Sequence, residues 1–315
     1  VLPHTAPPWF KAMALLFALS KMITIFTIPK AFRGHIAVIE QNAIQSWRAL
    51  GPAVNIILAG DADGVADICE TLCLIHVQDS KTNRCGTPLI SYAFKKITAL
   101  TEDPIICYSN CDIIFLSSLL AAVEKIASMP RFLLLGRRTD LDIQEPLQFT
   151  EDWERALLAD AKQRGVEHGF SGIDYIVSPK NFPITFPDFA IGRPGWDNWL
   201  VYTARKMKIP VIDATEVIMA IHQNHDYAHH KEGKRGVFGG MEAQENFRLA
   251  GGLHHMMSIA GANFLLTQDG LQKPPLTRRL YAAAHLFPPT ARFMGWKRAV
   301  QMRNVLCHQP QKKLS

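Results

Sequence analysis

From Met22 to Ile28 the chain is apolar or β-branched without a break and stops at Pro29, the pattern of a strand buried on both faces of a parallel sheet and running into a loop. Between His35 and Leu50 the pattern changes. Ile36, Ile39, Ala43, Trp47 and Leu50 recur every three or four residues with Glu40, Gln41, Gln45 and Arg48 between them, which predicts an amphipathic helix ended by Gly51-Pro52. A second strand is predicted over Val54 to Ala59, running into Gly60-Asp61-Ala62-Asp63-Gly64. A third strand follows over Leu72 to Val77, a helix over Pro88 to Leu100 and a fourth strand over Ile105 to Tyr108, broken by Ser109-Asn110-Cys111-Asp112. Strands alternating with helices predict an α/β fold: a doubly wound, mainly parallel sheet with its ligand site at the carboxyl ends of the strands.

The rhythm continues through a helix at Ser117 to Met129 and a strand at Arg131 to Gly136, then gives way to a polar, irregular stretch from Thr139 to Thr150 and a helix at Glu151 to Arg164. The second half does not repeat the first. Phe170 to Tyr175 leads into a strand, Ile191-Gly192-Arg193-Pro194-Gly195 approaches a helix from Asp197 to Met207, and Val211-Ile212 reads as a strand. A histidine-rich run, Ile221 to His230, closes this region. Residues 231–270 read as a mobile cover or acceptor loop, and residues 271–315 as a basic, mostly helical C-terminal appendage. Residues 1–21 read as an N-terminal extension, with Met22 as an alternative start.

The chain has 315 residues, 48% of them hydrophobic and 20% charged, so a large core is within reach. Its net charge of +6 is unevenly spread. All nine basic residues beyond position 270 stand without an acid, leaving residues 1–270 at −3, so only the tail is suited to an anionic partner. There Lys273, Arg278, Arg279, Arg292, Lys297 and Arg298 are interleaved with aromatic and aliphatic residues, a mix suited to an anionic membrane surface; no nucleic-acid recognition motif accompanies it. The six cysteines form no Cys-x-x-Cys pair and lie mostly in apolar strings, which favours reduced thiols and a cytoplasmic setting. The apolar stretch Ala12 to Ile28 is interrupted by Lys21 and is short for a membrane span.

Candidate chemistry begins at Asn110-x-Asp112. A carboxylate at the mouth of a parallel sheet can hold a divalent ion shared with a diphosphate, while the same residues also suit an ordinary turn. Here the sequence resembles the nucleotide-sugar glycosyltransferases of the GT-A fold (family 2-like), whose Asp-x-Asp signature closes the corresponding strand; Asn110 replaces the first acid. The resemblance spans about residues 22–230 and rests on the order of several short motifs. It implies that Thr27, Pro29 and Asp61 or Asp63 hold the nucleoside of the donor. Neither Gly-x-x-x-x-Gly-Lys nor Gly-x-Gly-x-x-Gly is present, so a phosphate-loop enzyme and a dinucleotide-binding dehydrogenase are disfavoured.

Gly195-Trp196-Asp197-Asn198-Trp199 opens a helix with an acid after a Gly-rich loop, much as the family's Gly-Trp-(Asp/Glu)-(Asp/Asn) segment does. The helix N-terminus would keep Asp197 ionised and able to take a proton from an acceptor hydroxyl, or the residue is only an N-cap. The resemblance further implies a late histidine completing the metal or diphosphate site. His222 is the first choice because it follows the apolar run Val217 to Ile221, and His225 is the alternate. The run lacks His-Glu-x-x-His, which argues against a zinc hydrolase. Gly172 and Asp174 fall where the family's acceptor wall begins, Arg193 is a candidate phosphate clamp, and Trp196 a candidate donor or acceptor contact.

Together these residues imply a glycosyltransferase that moves a sugar from a nucleotide-diphosphate sugar, a UDP-sugar by preference, to a hydroxyl acceptor on a glycan or a lipid-linked carrier. Mn²⁺ or Mg²⁺ bound by Asn110, Asp112 and His222 or His225 would assist departure of the diphosphate. A non-catalytic nucleotide-sugar or carbohydrate-binding protein on the same fold is the alternative that Asn110 suggests.

Overall fold

The computed structural model of the chain describes residues 22–225, 233–286 and 312–313. The N-terminal extension, His229-His230 and most of the basic tail lie outside these residues. In chain order the strands are β1 (Ile23–Thr27), β2 (Val54–Ala59), β3 (Ile75–Val77), β4 (Ile105–Ser109), β5 (Ile113–Phe115), β6 (Leu133–Leu135), β7 (Thr139–Leu141), β8 (Val166–Glu167), β9 (Tyr175–Pro179), β10 (Val211–Asp213), β11 (Ala220–Gln223), β12 (Phe264–Thr267), β13 (Gly270–Gln272) and β14 (Lys312–Lys313). The helices are α1 (Gly34–Ala49), α2 (Val65–Leu72), α3 (Ile90–Leu100), α4 (Ser118–Ile126), α5 (Trp153–Arg164), α6 (Trp196–Lys206), α7 (Gly233–Gly239), α8 (Met241–Leu249) and α9 (Leu276–Leu286). Among the described residues, no helix is long and apolar enough to cross a membrane.

The central sheet has the order β13-β12-β10-β6-β9-β4-β1-β2-β3. It is mainly parallel. β1 pairs in parallel with β2 and β4, and β10 with β6 and β12, whereas β9 runs antiparallel between β4 and β6. This is the doubly wound, helix-flanked α/β architecture that the alternation of strand and helix patterns implies. β1 and β4 are buried along their whole length, as their unbroken apolar runs require. One face of the sheet packs Phe26, Tyr108, Trp196 and Leu200; the other packs Ile25, Trp47, Phe115 and Tyr175.

A second, smaller sheet has the order β14-β8-β7-β11-β5. The stretch from Thr139, irregular by its sequence, supplies β7 to this sheet. Three residues are too few to show a period, and β7 is fixed by pairing with β11 and β8 rather than by its own pattern. Helix α2 fills the stretch between the second and third predicted strands and takes in Leu72, so that β3 begins only at Ile75.

Residues 231–270 differ from the separate cover expected of them. α7 and α8 lie in this stretch, but β12 joins the central sheet beside β10, and Met257, Ile259, Ala260 and Ala262 are buried in the main core. Part of the basic appendage is likewise structural. Arg278 is buried, with its guanidinium bound to Asp213 Oδ2 at 2.9 Å and to the Ile259 and Ala260 carbonyls, and Tyr281 is buried beside it. Arg278 is therefore not available to an anionic surface, and the remainder of the proposed membrane-facing tail from residue 287 to 311 lies outside the described residues.

Candidate metal and donor site

The register of the small sheet brings the site together. β11 pairs antiparallel with β5 so that His222 stands opposite Ile113, and parallel with β7 so that His222 also stands opposite Asp140. Asp112, the residue before β5, is thus delivered to one side of His222 and Asp140 to the other. The Gln223 N–H donates to the Asp112 carbonyl (3.1 Å), and the Gln223 side chain bonds Asn42 and the Ile39 carbonyl of α1, which locks β11 against the helix.

Asp112, His222 and His225 each turn a ligand atom into one space, with these atoms within 4.8 Å of one another. His225 Nε2 lies 3.1 Å and His222 Nε2 3.9 Å from Asp112 Oδ2. Asp112 Oδ1 is buried without a hydrogen-bond partner. Burial works to raise the Asp112 pKa, but His222, His225 and Lys30 outweigh it and hold the carboxyl well below the usual carboxylate range. A charged carboxylate with Oδ2 facing two imidazoles and Oδ1 unpartnered fits a divalent cation, and such a donor set suits a first-row transition ion better than Mg²⁺. Both candidate histidines, His222 and His225, therefore converge on Asp112. Asn110 turns differently: its amide nitrogen donates to Asp174 Oδ1 (2.9 Å) and its oxygen accepts from Tyr108 OH (2.9 Å).

Beyond Asn110 the site continues to Asp174 and Asp197. Asp174 Oδ1 also accepts from Arg138 Nη1 at 2.8 Å, while its Oδ2 is buried and unpartnered. Gly172 stands against His168 and this oxygen; a Cβ there would lie 2.7 Å from His168 Cδ2 and 3.4 Å from Asp174 Oδ2. Asp197 lies in the first turn of α6. Its Oδ1 accepts the Asn198 N–H at 2.8 Å, yet burial, reinforced by the Asp174 charge, pushes its pKa up to about 7. The helix N-terminus therefore does not keep Asp197 fully ionised, as the sequence argument expected. Desolvation is the larger effect, and the group is poised near neutrality instead.

Other expected residues are placed as follows. Thr27 closes β1, with its Oγ1 buried and unpartnered, and Pro29 follows in the loop. Asp61 is exposed beyond β2, and Asp63 pairs with Arg33 at the surface (2.8 Å). The cavity at the ends of β1, β2 and β3 is lined by Ile28, Gly60, Val77, Asp79 and Tyr92 rather than by Asp61 or Asp63. Arg193 is held by Glu242 of α8 at 2.7 Å, and Trp196 is buried edge-on against Tyr108, with ring centres 5.2 Å apart. Neither side chain reaches the Asp112 group.

Sequence reasoning missed Lys30, Glu40, Arg138, Asp140 and His168. Arg138, Asp140 and His168 sit in stretches without a motif, and only the pairing of β7 with β8 and β11 reveals them. Glu40 was visible only as a polar position of α1. Its carboxyl is buried with Oε1 on the Lys30 N–H (2.8 Å), and burial raises its pKa to about 8.

No protein-family model matches the sequence, and no curated relative does. Among solved structures, the chain is similar to Staphylococcus aureus TarS residues 1–349 in complex with UDP-GlcNAc, at 12% identity over 73% of this chain and 65% of that one, with a TM-score of 0.46. It is also similar to glucosyl-3-phosphoglycerate synthase from Mycobacterium tuberculosis in complex with Mn²⁺, UDP and phosphoglyceric acid (14% identity, 79% of this chain, 85% of that one, TM-score 0.44). A third is a protein described as a nucleotide-diphospho-sugar transferase from Desulfovibrio desulfuricans G20 (12% identity, 73% and 97%, TM-score 0.41).

Proposed function

We propose that this chain is a GT-A-like glycosyltransferase that moves a sugar from a nucleotide-diphosphate sugar, a UDP-sugar by preference, to a hydroxyl acceptor. The observation that carries the reading is the placement of two carboxyls of opposite ionisation about Tyr108: an ionised Asp112 beside two imidazoles, and Asp197, whose pKa burial and the Asp174 charge push up to about 7. A binding module needs no carboxyl poised near neutrality, whereas proton transfer from an acceptor hydroxyl does.

Asp112, His222 and His225 would hold a divalent cation, Mn²⁺ in preference to Mg²⁺ given two imidazole donors. When bound, the cation offsets the charge that develops on a departing diphosphate. The chain's own residues do the remainder. Asp174 Oδ2, with no internal partner, accepts a sugar or acceptor hydroxyl; Arg138 and Asn110 fix the other oxygen so that Oδ2 stays aimed. Asp197 takes the proton of the attacking hydroxyl if transfer inverts the anomeric centre, and binds a hydroxyl if transfer retains it. Thr27 and the cavity beyond Ile28 and Gly60 face the nucleoside.

The test is turnover of a panel of UDP-sugars with and without Mn²⁺, with release of UDP as the readout. Metal-dependent release that rises with added acceptor is the expected result. Tight UDP-sugar binding with no UDP release from any donor would establish the non-catalytic alternative instead.

A further inference from the structure

We propose that Asp140 is a positioning residue that holds His222 in the orientation and tautomer needed to ligate a metal. The inference rests on the reading of Asp112, His222 and His225 as a metal site. His222 is 8% exposed, with its two ring nitrogens facing different acids: Nε2 lies toward Asp112, and Nδ1 is 3.0 Å from Asp140 Oδ1. An imidazole that binds a cation through Nε2 keeps its proton on Nδ1, and a buried N–H of that kind needs an acceptor. Among the described residues Asp140 supplies it. The approach is short but not well aligned as a hydrogen bond, as is common at sites that tighten only when ligand arrives.

The carboxylate is itself immobilised. Arg138 Nε binds Asp140 Oδ1 at 2.8 Å, and His168 Nδ1 lies 2.8 Å from Oδ2. Backbone pairing fixes the same relationship independently, because Asp140 and His222 are register partners in β7 and β11 and share a face of the small sheet. Arg138 also grips Asp174, so one guanidinium ties the support of His222 to the opposite wall of the site.

Calorimetric titration of the full chain with MnCl₂ alone tests the inference, alongside the visible absorption spectrum with Co²⁺ as a readout of ligand geometry. Asp140→Ala should weaken Mn²⁺ binding by about 10- to 100-fold and alter the Co²⁺ spectrum. Asp140→Ala combined with His222→Ala should bind no more weakly than His222→Ala alone, because Asp140 acts through that ring. Should Asp140→Ala fail to fold, Asp140→Leu keeps the volume and removes the acceptor, and the same comparisons apply. Wild-type affinity in a folded Asp140 variant, or losses that add in the double variant, would overturn the positioning role while leaving the metal site standing. Equal Mn²⁺ binding by wild type and Asp112→Ala would instead show that the metal reading itself fails, and this inference with it.

Discussion

Asn110 and Asp174 are joined twice: the Asn110 backbone N–H donates to the Asp174 carbonyl at 2.8 Å, and its side-chain amide donates to Asp174 Oδ1 at 2.9 Å. The double link ties the end of β4 to the residue before β9. It gives the substitution of asparagine for an acid at position 110 a positive role, since an aspartate there would set two carboxylates against each other with no donor between them. Asn110→Asp should therefore weaken the site rather than complete a second metal ligand. The measurement is Mn²⁺-dependent UDP binding by calorimetry, with weaker binding in the variant expected. Tighter metal binding would show that Asn110 is a degraded ligand and not a strut.

Asp112→Ala should abolish metal-dependent UDP binding and leave the fold intact, because Asp112 Oδ1 has no internal partner to lose and Oδ2 faces only His222 and His225, the other two proposed ligands. Its backbone carbonyl, which accepts from Gln223, is retained in the variant. Calorimetry with UDP and Mn²⁺, checked against circular dichroism, decides the matter; unchanged UDP affinity in a folded variant would remove Asp112 from the site.

Asp197→Asn should keep UDP binding and slow transfer by roughly 10²-fold or more, the scale of a lost general base. Wild-type kcat/KM should rise with pH through about 7, as the Asp197 carboxyl ionises. That limb should vanish in the variant. A product of retained anomeric configuration would assign Asp197 to hydroxyl binding, whatever the size of the rate loss.

The central sheet was legible because its strands carry unbroken apolar runs that end at turn residues, as Met22 to Pro29 and Ile105 to Asp112 show. The candidate residues were legible where a motif marks them: Asp112, His222 and Asp197 stand at the ends of elements the pattern defines. Arg138, Asp140 and His168 were not, because each owes its place to long-range pairing of very short strands that carry no periodicity of their own. The ionisation of Asp197 was misjudged for a related reason. Sequence shows a helix start but not the desolvation that the folded chain imposes on the Asp197 carboxyl. Residues 231–270 read as a mobile cover or acceptor loop, yet β12 joins the sheet beside β10 through pairing that the local sequence does not show.

The last prediction concerns Glu40, whose folded pKa is raised from the ordinary 4.5 to about 8 by burial, against the opposing effect of Lys30. Below pH 4.5 the group is protonated in both folded and unfolded chains and makes no demand. Between about 4.5 and 8 the unfolded chain releases this proton and the folded chain keeps it. The stability tied to Glu40 is therefore fully present below 4.5 and is lost as pH rises toward 8, at about 1.4 kcal/mol for each pH unit. Asp112 and Asp140 act in the opposite sense but outside this window, since their depressed values matter only as pH falls below the ordinary carboxylate range. Glu40→Gln keeps an oxygen for the Lys30 N–H and cannot ionise, so its stability should fall less steeply between pH 5 and 8, and the gain over wild type should widen to a few kcal/mol. Urea unfolding of both proteins across that range measures the difference. Parallel stability curves would mean that Glu40 ionises in the folded chain as it does in water, and that water or Lys30 reaches the oxygen left without a partner.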